Sequence, residues 1–255
     1  MPGERKRRRR GRYSFLLTFF VAAALIFAFV LTSGFFFKIK HIEFEGVSVT
    51  SQAKIKELLG FSEGDHIFLI NKSGSANSIL ANMPYVKTVR IKRSLPGTVL
   101  VIITEAEPAA MIEYRGEVWL FDAQGKLLES VASYNTPDLP VVTGFELFSP
   151  MEGTTIYPAF EDTAKKEPLL ELLQTMREEG IWEGVGEIDL TQISNICFTY
   201  NEIYTVELGL PNKFDRKIQI MNQALQDEKV SGRGAGTLYL ADAGEKPVRF
   251  VPGGD

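Results

Sequence analysis

Residues 83–110 read "MPYVKTVRIKRSLPGTVLVIITEAEPAA". Two apolar–polar alternating runs, 85–93 and 98–105, flank the tripeptide Leu95-Pro96-Gly97. Alternation of period two places every second side chain on one face, the pattern of a half-buried strand. Proline presets φ and glycine admits a positive φ, so the tripeptide predicts the turn of a hairpin.

Working outward toward the N-terminus, residues 72–83 carry Ala76, Ile79, Leu80 and Met83 at i, i+3, i+4 and i+7. That is one stripe of a helix, and Pro84 ends it. Before it, "SQAKIKELLG" predicts a short helix capped by Thr50 or Ser51, with Leu58 and Leu59 inward and Gly60 as its stop. Earlier still, His41–Glu45 alternates and ends at Gly46, which predicts a strand. The order over 38–107 is β-α-α-β-β.

Residues 14–37 contain no charge. From Phe15 to Phe37, as a helix, this run extends about 35 Å, enough to cross a hydrocarbon core of about 30 Å. A cleaved leader would have an apolar stretch of only about 7–15 residues. The run is preceded by Arg5, Lys6, Arg7, Arg8, Arg9, Arg10 and Arg12, and followed closely only by Lys38 and Lys40. Basic residues beside a span stay in the cytoplasm. A single pass is therefore expected, with residues 1–13 inside and 38–255 outside. The basic residues also suit contact with the anionic surface of the lipid bilayer.

Nucleic acid is a poor partner for this chain. Its net charge of −4 conceals +6 over residues 1–12, which leaves −10 for the remainder. An acidic body repels phosphate.

Downstream, "EYRGEVWLFDAQGKLLES" at 113–130 predicts two strands punctuated by Gly116 and Gly125, with a turn at Asp122–Gly125. "DLPVVTG" follows at 138–144, and 149–167 reads as loop. Leu169, Leu172, Leu173 and Met176 predict a helix after Pro168, stopped by Gly180. Strands are expected in "GEIDLTQ", "NICFTYN" and "YTVELG", then a helix over 213–227 on Phe214, Ile218, Met221 and Leu225. "GTLYLAD" and "PVRFVP" are the last two strands. The lone cysteine, Cys197, excludes an internal disulfide, and between Ile196 and Phe198 it reads as a small core residue.

Taken together, these residues resemble the FtsQ/DivIB family of bacterial division proteins. Pro84, Val86, Arg93, Pro96, Glu105 and Pro108 match the pattern of its POTRA domain, although Ala106 stands where a basic residue is frequent. A strand ending in Asp-x-x-Gly, a Leu-Pro-x-x-x-Gly segment, and Leu208-Gly209 before a helix carrying Lys217 match its second domain. The usual Asp-x-Arg of the penultimate strand is absent: the segment reads Leu238-Tyr239-Leu240-Ala241-Asp242. The resemblance implies an α+β chain: basic tail 1–13, transmembrane helix 14–37, POTRA domain 38–107, a mostly β domain with flanking helices at 108–252, and tail 253–255. It implies a scaffold at the division septum that binds FtsL and FtsB (DivIC) type membrane proteins, with no cofactor.

A membrane-anchored wall-modifying enzyme is the alternative. Ser51-Gln-Ala-Lys54, Lys72-Ser73-Gly74 and Ser75-Ala-Asn77 imitate penicillin-binding motifs, but all fall within 27 residues and in the wrong order. Neither His41 nor His66 lies in a spacing that suits a metal or a catalytic triad. Gly232–Gly236 follows a helix rather than a strand, so it lacks the context of a phosphate loop. A third reading, a POTRA chaperone for membrane barrels, would want repeated POTRA units. No catalytic, metal or cofactor-binding residue is therefore expected.

For partner binding, the final strand is expected to be an open sheet edge. Pro247 and Pro252 bracket it, and no later strand is in sight. Val248, Arg249, Phe250 and Val251 are the expected contacts, with Leu240 from the neighbouring strand and Phe250 as anchor.

Overall fold

The structure, a computed structural model, describes residues 17–25, 27, 36–47, 52–133, 136–243 and 248–253. Residues 17–25 are helical, and among the described residues no helix is long and apolar enough to cross a membrane. The basic residues Arg5, Lys6, Arg7, Arg8, Arg9, Arg10 and Arg12, much of the apolar run, the expected caps Thr50 and Ser51, and Pro247 lie outside the described residues. The described chain forms two compact units, one of residues up to 79 with 88–104, the other of 80–87 with 105–253.

The first unit is built on β1 (His41–Glu45), α1 (Gln52–Leu58), α2 (Lys72–Asn82), β2 (Val86–Ser94) and β3 (Thr98–Glu105). The three strands lie in the order β1-β3-β2, with β1 parallel to β3 and His41 opposite Thr98. Val99, Val101 and Ile103 on β3 are buried together with Ile55, Leu59 and Ile79 of the helical segments. Leu58 is only half-buried. The i, i+4 pair Ile55 and Leu59 forms the inward stripe instead. Asn71 caps α2 by accepting the Gly74 N–H at 3.0 Å.

The turn between β2 and β3 departs from expectation. The Leu95–Pro96 peptide is cis, and Gly97 has no positive φ. Glycine is required there by space, because a Cβ would sit 2.7 Å from the Lys38 carbonyl oxygen.

Among the described residues, the second unit carries one nine-stranded sheet, preceded by the 80–87 stretch. Its strands are β4 (Pro108–Tyr114), β5 (Glu117–Asp122), β6 (Leu127–Ala132), β7 (Val141–Thr143), β8 (Val185–Asp189), β9 (Ile196–Tyr200), β10 (Tyr204–Gly209), β11 (Gly236–Tyr239) and β12 (Arg249–Pro252). They lie in the order β12-β11-β10-β9-β8-β7-β4-β5-β6. Sequence patterning placed two strands in 113–130; a third, β4, starts at Pro108 and pairs with β5 across the Arg115-Gly116 turn, where both residues have positive φ. The β5–β6 turn is held by Asp122, whose Oδ1 accepts from the N–H groups of Gln124 and Lys126.

Two helices, α3 (Lys166–Glu178) and α4 (Phe214–Gln226), supply Leu169, Leu172, Leu173 and Met176, and Phe214, Ile218 and Met221, to one continuous core with the sheet. A 3-10 helix over Phe160–Lys165 and a short α5 (Glu228–Ser231) occupy stretches that carry no clear periodicity. The α3 helix starts at Lys166, so Pro168 falls within its first turn, where a missing N–H is tolerated.

Candidate partner-binding edge

Strand β12 is terminal in the large sheet and pairs only with β11 among the described strands. The two are antiparallel, with Thr237 opposite Val251, Leu238 opposite Phe250 and Tyr239 opposite Arg249. Gly253 donates its N–H to Ala235 at 2.8 Å, while Gly236 donates in the other direction, to Ile203 on the β10 side. Bonded groups alternate along an antiparallel strand. Residues 249, 251 and 253 therefore face β11, and the N–H and C=O of Phe250 point away from the sheet. Pro252 presents a carbonyl on that side and no N–H.

The side chains follow the same alternation. Phe250 shares the core face with Leu238 and is half-buried against Tyr204, ring centroids 6.3 Å apart and edge-on. It fits there because Gly236 has no Cβ; one would stand 2.6 Å from the Phe250 ring. Val248 is likewise partly buried against the core. Arg249 is exposed on the opposite face, its guanidinium 5.0 Å from the Tyr239 ring centroid. Val251 lies on the Arg249 face. Leu240 is completely buried, and its N–H is bonded to the Glu207 carbonyl. Its side chain belongs to the core rather than to a contact surface, which corrects the expectation.

The groups with nucleophilic or acid–base chemistry are engaged elsewhere. Ser75 is buried, with its hydroxyl donating to the carbonyls of Leu59 and Asn71. Cys197 is half-exposed on the sheet face away from the helices, not in the core, because Ile196 and Phe198 take the inward positions. Burial pushes its thiol pKa up, and the Asp189, Glu207 and Glu187 carboxylates push it further. A thiol so placed stays protonated and is a poor nucleophile. Lys217 is buried, and among the described residues its ammonium meets neutral acceptors, donating to the Leu210 carbonyl at 2.8 Å and to Asn212 Oδ1 at 3.2 Å. Burial, then Lys213, lowers its pKa. This lysine holds the 210–213 turn, in which Lys213 is left-handed. No group of three or more His, Cys, Asp or Glu that could hold a metal occurs among the described residues.

Sequence reasoning missed the residues that lock 80–87 onto the second unit. Tyr85 donates its hydroxyl to Glu129, Lys126 donates to the Val86 carbonyl at 2.8 Å, and Ala106 N–H bonds Tyr85 O at 2.8 Å. Burial and the Glu129 carboxylate raise the Tyr85 pKa, while burial lowers that of Lys126. No local pattern signals these pairs, since their partners lie about 20 to 44 residues apart in the chain.

A three-stranded β-α-α-β-β unit followed by a β-rich domain whose sheet ends in β12 on one side and β6 on the other defines a protein of the POTRA-bearing class. Residues 37–106 match the family described as POTRA domain, FtsQ-type, and residues 110–240 match the one described as cell division protein FtsQ/DivIB, C-terminal. The chain belongs to the FtsQ/DivIB family of cell division proteins. It is 33% identical over 109 residues to the DivIB of Staphylococcus aureus, covering 43% of this chain and 25% of that one. To the FtsQ of Geotalea daltonii it is 28% identical over 181 residues, covering 70% of this chain and 61% of the other. To the DivIB of Clostridium acetobutylicum it is 26% identical over 202 residues, covering 76% and 78%. The match to the C-terminal family ends at residue 240, so β12 lies beyond it.

Proposed function

We propose that this chain is a non-enzymatic, membrane-anchored scaffold of the division machinery that captures a partner strand on β12. The observation that carries this reading is the open N–H and C=O of Phe250 on a terminal strand. An added strand gains backbone hydrogen bonds there, and Arg249 and Val251 supply side-chain contacts on one face. Membership of a division-protein family supports the setting. The partners are of the FtsL and FtsB (DivIC) type, which work at the septum outside the membrane. Residues 14–37 cross the bilayer once, with the basic tail inside; the charge asymmetry around the apolar run supports that orientation. The domain limits follow the sequence reading: POTRA at 38–107, β domain at 108–252.

Two experiments test this. Protease added to intact protoplasts digests 38–255 and spares the basic tail; protection of the C-terminal region would refute the topology. Deleting residues 247–255 abolishes capture of an FtsB-type partner while the circular dichroism of the rest is retained. Capture at undiminished affinity after that deletion would move the binding site elsewhere.

A further inference from the structure

Two apolar tips of the first unit, one on a loop and one on a turn, are fastened to the short segment that follows the apolar run. The loop between α1 and α2 turns Ile67 and Ile70 inward but leaves Phe68 48% and Leu69 82% exposed. It is fastened to the segment by Ile67 N–H on the Phe37 carbonyl at 2.8 Å and by Ile39 N–H on the Asp65 carbonyl at 2.8 Å. The Phe37 and Phe68 rings meet edge-on, 5.2 Å apart. On the β2–β3 turn, Leu95 is 57% exposed, and Gly97 accepts the Lys40 N–H at 2.7 Å. Phe36, one residue before the fastened segment, is exposed as well.

The loop is built rather than slack. Arg93 donates to the Phe68 and Ile70 carbonyls at 3.2 Å each, and its guanidinium lies 6.0 Å from the Phe68 ring centroid. Large apolar side chains gathered at one end of a unit and rimmed by polar residues are the pattern of an interaction site. Around them stand Lys38, Lys40, Lys92 and Arg93. The acidic residues on the same loop are Glu63 and Asp65, and Asp65 is turned back to accept the Ser62 N–H at 2.7 Å.

We infer that Phe68, Leu69 and Leu95 form an apolar foot that dips into the outer surface of the bilayer, with Lys38, Lys40 and Lys92 reaching the headgroups. This rests on the reading that residues 14–37 span that bilayer. The occupant follows from chain continuity, since the foot is hydrogen-bonded to residues 37–40, where the charge-free run ends. Apolar tips enter the boundary of headgroup and acyl chain by about 5–10 Å, while long basic side chains extend to the phosphates. The foot then sets the tilt and rotation of the first unit on the membrane, which a single helix alone would leave free.

The test uses the full chain with Cys197→Ser, reconstituted in phosphatidylcholine–phosphatidylglycerol vesicles that contain doxyl-labelled phosphatidylcholine. Single cysteines carrying an environment-sensitive fluorophore are placed by Leu69→Cys, Glu45→Cys and Val21→Cys. Glu45 is exposed at the far end of β1, on the order of 15 Å further along the strand than Lys40. Leu69 is so exposed that its replacement disturbs no packing. Expected is several-fold stronger quenching at 69 than at 45, with strong quenching at 21. Strong quenching at 21 with equal, weak quenching at 69 and 45 would overturn the foot and leave the span standing. Weak quenching at all three positions would overturn both.

Discussion

Replacing Gly46 by alanine should unseat β1 from β3. Gly46 has φ +74°, and a Cβ there would stand 2.0 Å from the Ile103 carbonyl oxygen on the central strand of the small sheet. Two costs add. The left-handed backbone disfavours any Cβ by about 1–2 kcal/mol. Forcing an atom into a filled site costs typically a further 1–3 kcal/mol, because the strands must part. The total is about 2–5 kcal/mol, a large share of the roughly 5–15 kcal/mol that holds a domain together. Gly60→Ala is the matched control: its φ is +67° and nothing lies within 4 Å of the added carbon. Only the backbone cost applies there, about 1–2 kcal/mol. Urea unfolding of both variants, followed by far-ultraviolet circular dichroism, measures the difference. Both tryptophans, Trp119 and Trp182, lie in the second unit, so their fluorescence follows that unit separately. Equal destabilisation by the two substitutions would refute the close contact between Gly46 and Ile103.

Burial lowers the Lys217 pKa from its ordinary value near 10.5, so the folded state releases that proton before the unfolded state does. Stability should then rise with pH from the lowered value up to about 10.5, and Lys217→Met should remove that part of the rise in urea titrations across this window; identical pH slopes would contradict it. Tyr85→Phe should cost about 1.5–3 kcal/mol by deleting a hydrogen bond to the Glu129 carboxylate, read as a shift of the urea midpoint. Cys197 should react with a disulfide reagent at pH 8 several-fold more slowly than a free thiol, and Asp189→Asn should speed it by removing one of the raising charges. Gly236→Ala should weaken partner capture by pushing β12 off β11, because the added Cβ would stand 2.5 Å from the Val251 carbonyl oxygen and 2.6 Å from the Phe250 ring; capture at the parent affinity would contradict it.

Much of this fold is legible locally. The alternation in 85–93 and 98–105 and the leucine spacing of 169–176 state their elements outright, because one neighbour face decides each pattern. What the sequence hides is nonlocal. Nothing in "LPVVTG" says that β7 lies parallel to both β4 and β8, or that β11 lies parallel to β10. Cys197 reads as core from its apolar flanks, yet strict alternation places those flanks inward and the thiol outward. Gly97 shows the same limit: turn chemistry suggests a positive φ, while the real demand is the approach of Lys38, nearly sixty residues away. At the edge, flanking prolines point to β12, but only the register with β11 reveals which Phe250 groups are open and that Leu240 is sealed in the core.

The nine strands are not equally joined. β7 is three residues long, and only Met111 with Val141 and Ile112 with Val142 bridge it to β4. It is the narrow link between strands β8 to β12 and the hairpins β4 to β6. A pull applied in the plane of the sheet at β12 passes through longer pairings until it reaches this link, where few hydrogen bonds share the load. The core supplied by α3 and α4, which packs against strands on both sides of β7, then has to carry what the ladder there does not.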